Sequence, residues 1–227
     1  GYTATADLLE PSGVVKQLNE FFTAVHNAVE SQGGVFDRCI GDGALGVFGA
    51  PFPSGANPVE AVLAALQLKA EVDAANKKRR SGGLPTYKYG VGITTGSGMI
   101  GSAIKTAFRV EAATREYGCC ILICDATRNL VKDKFHLREV DRVMAKGVLD
   151  KSTTELETDT ETAVICFELG LGEYREQNWE GALSNFGRAV QLLDDGPSKA
   201  FIDRCKLLMD RRTSFPDQWD GVYNRST

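Results

Sequence analysis

The sequence lacks the residue patterns of several common functional classes. Its two histidines, His26 and His136, lie far apart without evident partners, so neither is assigned a role. The six cysteines do not show the paired spacing of zinc sites, and we interpret them as small core residues of a reduced, intracellular protein. No apolar run is long enough to cross a membrane, and no signal peptide opens the sequence. We therefore expect a cytoplasmic protein, or the cytoplasmic part of a larger one, without membrane contact by this segment.

An excess of positive charge is also missing. The formal net charge is −4, with 26 Lys and Arg against 30 Asp and Glu, which argues against nucleic acid as a partner. The basic run 77–80 falls where a helix should end, and we interpret it as a solvated helix terminus. A chain of 227 residues can form one large domain, or one domain of about 150 residues with an appendage.

The most informative segment is 34–51, which predicts a β-hairpin with one acidic residue at its tip. Strands are predicted over Val35–Ile40 and 44–48, joined by Gly41-Asp42-Gly43. An aspartate between glycines can approach a ligand closely and bind a cation through oxygen. The alternative is that Asp42 and Gly43 only form the turn.

The remaining pattern predicts an α+β sandwich, with helices packed on a mostly antiparallel sheet. The acidic, polar stretch 150–161 predicts an exposed loop. After residue 169 the apolar residues take helical spacing, and Trp179, Ala182 and Phe186 resemble part of one tetratricopeptide unit. The predicted helices of the first part are 13–31, 57–78, 102–116 and 125–131, and its predicted strands after the hairpin are 87–94, 120–124, 137–146 and 163–168.

Several segments, in order, resemble motifs of the class III nucleotidyl cyclases. The hairpin is similar to the family's metal-binding Lys-Phe-Ile-Gly-Asp-Ala segment, and 100–111 is similar to its Ile-Gly-Asp-x-Val-Asn-x-Ala-x-Arg-Leu-Glu segment. The other similar segments are 1–3, 14–22, 89–96 and 143–147. The resemblance implies a ferredoxin-like nucleotidyl cyclase fold over residues 1–169, starting within the phosphate-binding motif. Residues 170–227 would then form a tetratricopeptide-like helical extension, similar to the tail of prokaryotic-type adenylate cyclases.

The resemblance implies an adenylate cyclase, in which the ribose 3′-oxygen of ATP attacks the α-phosphorus and pyrophosphate leaves. It implies two Mg²⁺ or Mn²⁺ ions, held by Asp42 and by a carboxylate that would stand shortly before Gly1, and a site shared across a homodimer. The implied site residues are Asp42 as metal ligand, Arg109 and Lys146 in catalysis, and Gly1, Tyr2, Thr3, Arg38 and Lys105 in substrate binding.

Three of these residues have distinct implied roles. Arg109 matches the arginine that supports the α-phosphate, and Lys146 matches the lysine that reaches the triphosphate; the alternatives are a helix-surface arginine and a solvated lysine. Arg38 occupies the family's base-selecting position. A cation there can donate to adenine N1 but lacks the acceptor that guanine N1–H and N2–H₂ require, so Arg38 favours ATP.

Two departures from the family pattern keep other functions open. Lys105 stands where the family has an asparagine that orients the ribose, and lysine cannot both donate and accept as an amide does. The hairpin arm that reaches the partner subunit is missing between Gly96 and Ile100. The alternatives are a degenerate cyclase domain that acts as a nucleotide-binding or dimerising regulatory module, and a guanylate cyclase.

Overall fold

The computed structural model describes residues 10–96, 102–141, 146–149, 158–210, 219 and 221. The helices are α1 Pro11–Ser31, α2 Asn57–Ser81, α3 Ser102–Tyr117, α4 Asp125–Val131, α5 Thr158–Arg175, α6 Trp179–Leu193 and α7 Gly196–Asp210. The strands are β1 Val35–Ile40, β2 Gly43–Val47, β3 Val91–Ile93, β4 Ile121–Ile123, β5 His136–Glu139 and β6 Lys146–Leu149. Over these ranges, no helix combines the length and apolarity that crossing a membrane requires.

The first layer consists of the β1–β2 hairpin and the helices α1 and α2. The two strands pair antiparallel, with Val35 opposite Val47 and Ile40 opposite Gly43, which confirms the predicted hairpin. The two helices pack against each other through a small buried core, because each presents an apolar face to the other. This core contains Ala28 of α1 and Leu68 and Val72 of α2, with Phe21, Tyr87 and Tyr89 packed against it.

A four-stranded mixed sheet forms the centre of the fold. The strand order is β3-β4-β6-β5. Strands β3 and β4 are parallel, whereas β4–β6 and β5–β6 are antiparallel, so the predicted mostly antiparallel sheet is confirmed. The predicted strand 137–146 is divided between β5 and β6, and residues 142–145 lie outside the described residues. A core of Val62 and Leu66 from α2 with Ile121, Ile123 and Val131 covers the sheet.

Helix α3 joins the sheet to the C-terminal helices. Its buried residues Val110, Ala113 and Tyr117 belong to one hydrophobic cluster with Leu122 of β4. The same cluster contains aromatic and aliphatic residues of all three C-terminal helices, including Phe167, Tyr174, Phe186, Phe201 and Leu208. The C-terminal helices therefore share a core with α3 and the sheet, and the predicted α+β fold with a helical extension is confirmed.

The prediction of a strand over 163–168 is wrong, because these residues lie within α5. The short run of β-branched and aromatic residues around Val164 and Phe167 suits either a strand or a buried helix. The buried positions Ala163, Phe167, Leu171 and Tyr174 are separated by three or four residues, which is the helical period. Helix α5 also runs through the boundary at 169/170, so the division into 1–169 and 170–227 stays a prediction.

Two glycines of the third strand region let α3 approach the sheet at backbone distance. A Cβ atom at Gly92 would overlap the backbone nitrogen of Glu111 and the carbonyl oxygen of Ala107. A Cβ atom at Gly90 would overlap the Thr114 hydroxyl in the same way. The position of α3 therefore depends on the absence of a side chain on this side of β3.

We expect Gly92→Ala to destabilise the protein by about 1–3 kcal/mol, because the added methyl group meets backbone atoms that cannot rotate away. Urea unfolding followed by circular dichroism measures the change. Gly187→Ala is the control, because a Cβ at Gly187 in α6 meets nothing within 4 Å. Alanine there should leave stability unchanged or raise it by up to about 1 kcal/mol. Equal effects of the two substitutions would contradict the proposed close packing.

Candidate functional site

The tip of the β1–β2 hairpin presents Asp42 to solvent. Ile40 and Gly43 are the last paired residues, so Gly41 and Asp42 form the turn between them. Gly41 has a φ of 61°, in the left-handed region that glycine adopts without a steric penalty. Asp42 is exposed. A carboxylate held at a short turn between paired strands is a suitable oxygen ligand for a divalent cation.

Asp42 would contribute one ligand to such a cation. Within the ranges that the structure describes, no group of three or more His, Cys, Asp or Glu side chains forms a metal site. Mg²⁺ is commonly bound through one or two carboxylates together with water and substrate phosphates. The exposed carboxylate of Asp42 is suited to that kind of site.

A β-bulge near the hairpin tip brings Asp37 and Arg38 together. The pairing shifts between Phe36, opposite Gly46, and Arg38, opposite Leu45, so Asp37 is the extra residue. Neighbouring residues of a regular strand point to opposite faces, whereas a bulge redirects one of them. Here Arg38 Nε donates to Asp37 Oδ2 at 2.6 Å. The Arg38 side chain remains 67% exposed and that of Asp37 19% exposed.

The charge of Arg38 is secured by this contact. The hydrogen bond to Asp37, together with the negative charge of that carboxylate, raises the pKa of Arg38. The guanidinium uses Nε for this bond, and its two terminal NH₂ groups make no hydrogen bond to the described residues. The hairpin therefore presents a hydrogen-bond donor and a hydrogen-bond acceptor side by side near its tip.

Helix α3 carries Lys105 and Arg109 on its exposed face. The two residues are separated by four positions, so they lie on one side of the helix. The opposite side is fixed by Val110 and Ala113 in the core and by the close approach to Gly92. Near the start of α3, Thr94 Oγ1 donates to the carbonyl oxygen of Ala103 at 3.0 Å. These contacts turn both cations outward, where they can bind a phosphorylated ligand.

The structure does not join all the predicted site residues. The described residues do not include Gly1, Tyr2 and Thr3. The side chain of Lys146 is also not described, although its backbone, at the start of β6, pairs with Ile123. In the described part of the chain, no hydrogen bond or ion pair connects Asp42 or Arg38 with Lys105 or Arg109. The hairpin residues and the α3 residues are thus two separate exposed groups.

Comparison with known proteins shows which proteins the chain resembles. No family model matches the chain. Over 168 residues the chain is 32% identical to the adenylate cyclase of Anabaena cylindrica. This alignment covers 65% of this chain and 32% of that protein. The matched part of the chain is similar to the class III nucleotidyl cyclases. It spans about a third or less of the length of the curated relatives it matches.

Solved cyclase structures have the same fold. The adenylyl cyclase CyaB from P. aeruginosa aligns with a TM-score of 0.56 and 20% identity, over 67% of this chain and 90% of that one. The guanylyl cyclase Cya2 aligns with a TM-score of 0.52 and 23% identity, over 69% of this chain and 92% of that one. At these identities the likeness concerns the fold of the cyclase domain.

Sequence reasoning did not single out Asp37, whose carboxylate contacts the predicted substrate-binding residue Arg38. Its acidic side chain was visible beside Arg38, but the bulge that places both side chains together depends on the pairing register. Asp37 places a hydrogen-bond acceptor beside Arg38. Arg38 alone favours adenine, whereas the pair offers complementary groups to the edge of either purine.

Proposed function

We propose that this cyclase domain converts ATP to cyclic AMP and pyrophosphate. The observation that carries the proposal is Asp42, an exposed carboxylate at the tip of a glycine-flanked hairpin that resembles the family's metal-binding segment. The relative from Anabaena cylindrica, named an adenylate cyclase, supports ATP as the substrate. The cytoplasmic location predicted from the sequence is part of this proposal.

The proposed reaction needs no protein nucleophile. The ribose 3′-oxygen forms a bond to the α-phosphorus, the bond from that phosphorus to pyrophosphate breaks, and the hydroxyl proton passes to solvent. Arg109 donates to the α-phosphate oxygens, because a guanidinium matches phosphate geometry and supports the charge of the transition state. Lys105 and Lys146 contact phosphates, and the backbone N–H groups of 1–3 hold the triphosphate. Two Mg²⁺ or Mn²⁺ ions, with Asp42 as one ligand, supply charge neutralisation when bound.

The active site is proposed to form between two copies of the chain. Asp42 and Arg38 lie on the hairpin, whereas Lys105 and Arg109 lie on the exposed face of α3. Both groups are accessible to a second molecule. In a symmetric homodimer the hairpin of one subunit would face α3 of the other, giving two identical sites.

Two alternatives are each supported by one observation. Lys105, in place of a ribose-orienting amide, supports a domain that binds nucleotide and dimerises as a regulatory module without turnover. Asp37 supports a guanylate cyclase, because its carboxylate can accept from N1–H and N2–H₂ of guanine while Arg38 donates to O6. Cyclic nucleotide assays with ATP and GTP separate these possibilities.

We expect Asp42→Ala to abolish Mg²⁺- or Mn²⁺-dependent cyclic AMP formation and to leave the thermal unfolding temperature unchanged. Loss of a metal ligand removes several kcal/mol of charge stabilisation from the transition state, whereas an exposed turn tolerates alanine. Asp133→Ala is the control, because Asp133 is also an exposed turn aspartate. Wild-type rates in Asp42→Ala would exclude Asp42 from the site. An inactive wild type that still binds ATP would support the regulatory module.

We expect a mixture of Asp42→Ala and Arg109→Ala chains to recover part of the activity that each variant lacks. A mixed dimer has one site with both wild-type residues and one site with neither. Random pairing makes about half of the dimers mixed, so recovery is limited to about a quarter of wild-type activity. The measurement is cyclic AMP formation after mixing and re-equilibration. A mixture that stays inactive, with an active and dimeric wild type, would place the site within one chain.

We expect Asp37→Ala to raise the Ki for GTP, measured as an inhibitor of cyclic AMP formation, by roughly tenfold. The reason is that the variant loses a charge-assisted hydrogen bond to guanine. The KM for ATP should change less than about twofold, because Arg38 still donates to adenine N1. Asp73→Ala, which removes an exposed aspartate paired with Lys69 on α2, is the control and should leave both constants unchanged. An equal change in both constants for Asp37→Ala would contradict selective contact with guanine.

A further inference from the structure

A buried ionic cluster connects the C-terminal helix α7 to the last turn of α3. Arg204 of α7 donates through Nη2 to Glu116 Oε1 at 2.6 Å and to the Tyr117 hydroxyl at 2.8 Å. Its Nη1 donates to Asp141 Oδ2 at 2.6 Å, and the Tyr117 hydroxyl donates to the same oxygen at 2.6 Å. The side chain of Arg204 is 9% exposed and that of Asp141 is 5% exposed. One guanidinium thus bridges α3, α7 and the segment after β5.

The contacts in the cluster stabilise the positive charge of Arg204. Burial by itself lowers the pKa of Arg204, but the contacts with Tyr117 and Asp141 outweigh it and raise that pKa. Burial, followed by the charge of Asp141, raises the pKa of Tyr117, so the hydroxyl remains protonated and able to donate. Two carboxylates and a hydroxyl surround the guanidinium, and removing one partner would leave a buried charge uncompensated. The buried guanidinium of Arg204 therefore depends on these partners.

Helix α3 is the element on which this connection acts. Glu116 and Tyr117 are its last residues, where a cation also complements the helix dipole. A Cβ at Gly196, the first residue of α7, would overlap the carbonyl oxygen of Tyr117, so the two helices also meet at backbone distance. Arg109 lies about two turns before the cluster on the same helix. A displacement of the last turn would therefore be transmitted along α3 to Arg109.

Attachment of the C-terminal helices does not depend on Arg204 alone. Arg138 of β5 donates to Asp195 Oδ1 at 2.6 Å, and Asp195 in turn accepts from the backbone nitrogen of Ser198 at the start of α7. Arg175 of α5 donates to Glu139 Oε1 at 2.7 Å. These ion pairs attach the helical extension to β5, whereas the pair of Arg204 with Glu116 acts on α3.

We propose that Arg204 is a positioning residue for the cyclase reaction, which holds the last turn of α3 and thereby sets the location of Arg109 at the α-phosphate. The inference rests on the proposed function, because it needs Arg109 in catalysis. Under this inference the helical extension contributes to turnover, in addition to its packing in the shared hydrophobic core. Arg204 itself is buried, whereas Arg109 is exposed.

The test compares Arg204→Lys with Arg138→Lys. Lysine keeps the charge in both, but a single ammonium group cannot reproduce the fork that reaches Asp141 and Glu116 together. We expect Arg204→Lys to lower kcat roughly ten- to a hundredfold, because small displacements of a catalytic group have large kinetic effects. The KM for ATP should change less than about threefold. Arg138→Lys also perturbs a buried pair, in which the side chains of Arg138 and Asp195 are 7% and 2% exposed. This variant should keep kcat within about twofold of the wild-type value.

Two further measurements keep the inference testable. If Arg204→Lys does not fold, Glu116→Gln takes its place in the test. The Glu116 side chain is 27% exposed, and its substitution leaves the Arg204–Asp141 pair in place. Glu116→Gln should also lower kcat. Hydrogen exchange of the α3 amides should be faster in Arg204→Lys and unchanged in Arg138→Lys.

The outcomes separate this inference from the proposed function. If Arg204→Lys and Arg138→Lys lower kcat equally and in proportion to lost stability, the positioning role is overturned. The same holds if α3 exchange is unaffected by Arg204→Lys. A wild-type protein that forms no cyclic AMP overturns the proposed function, and the effect of Arg204 on α3 is then decided by hydrogen exchange alone.

Discussion

The contact of α3 with β3 at Gly92 is the constraint on which the rest of the structure depends. With no side chain at that position, the backbone of α3 lies directly on the sheet, and Val110 and Ala113 enter the core. A helix fixed on one side has only one face left for solvent. Lys105 and Arg109 occupy that face, so the same packing that closes the core also presents the two cations.

The hairpin was predictable because its determinants are local. Glycines on both sides of Asp42 and apolar strands around them specify the turn within a few residues. The bulge at Asp37 was not predictable, because it depends on how β1 and β2 slide past each other. Sequence reasoning therefore located the carboxylate at the tip but missed the acceptor beside Arg38, which is the observation that bears on the guanylate cyclase alternative.

Longer-range interactions were not predictable from the sequence for a different reason. The error at 163–168 arose from a short apolar run that suits strand and helix equally, and packing against Phe186 and Phe201 selects the helix. Arg204 contacts Asp141 and Glu116, which are 63 and 88 positions away. No periodicity within one segment can reveal such partners, and a single arginine on a helix is usually interpreted as a surface residue.

The continuous cluster around Tyr174 and Phe201 has a consequence for how such domains can be combined. Because α3, α5 and α7 contribute to one core, the part that contains the sheet and the helical extension are not interchangeable modules. A recombination event that exchanged the extension would have to supply new partners for Tyr117 and Asp141 at the same time. Domains joined in this way are expected to be inherited as a unit. Exchange of further domains would then occur at the outer ends of that unit.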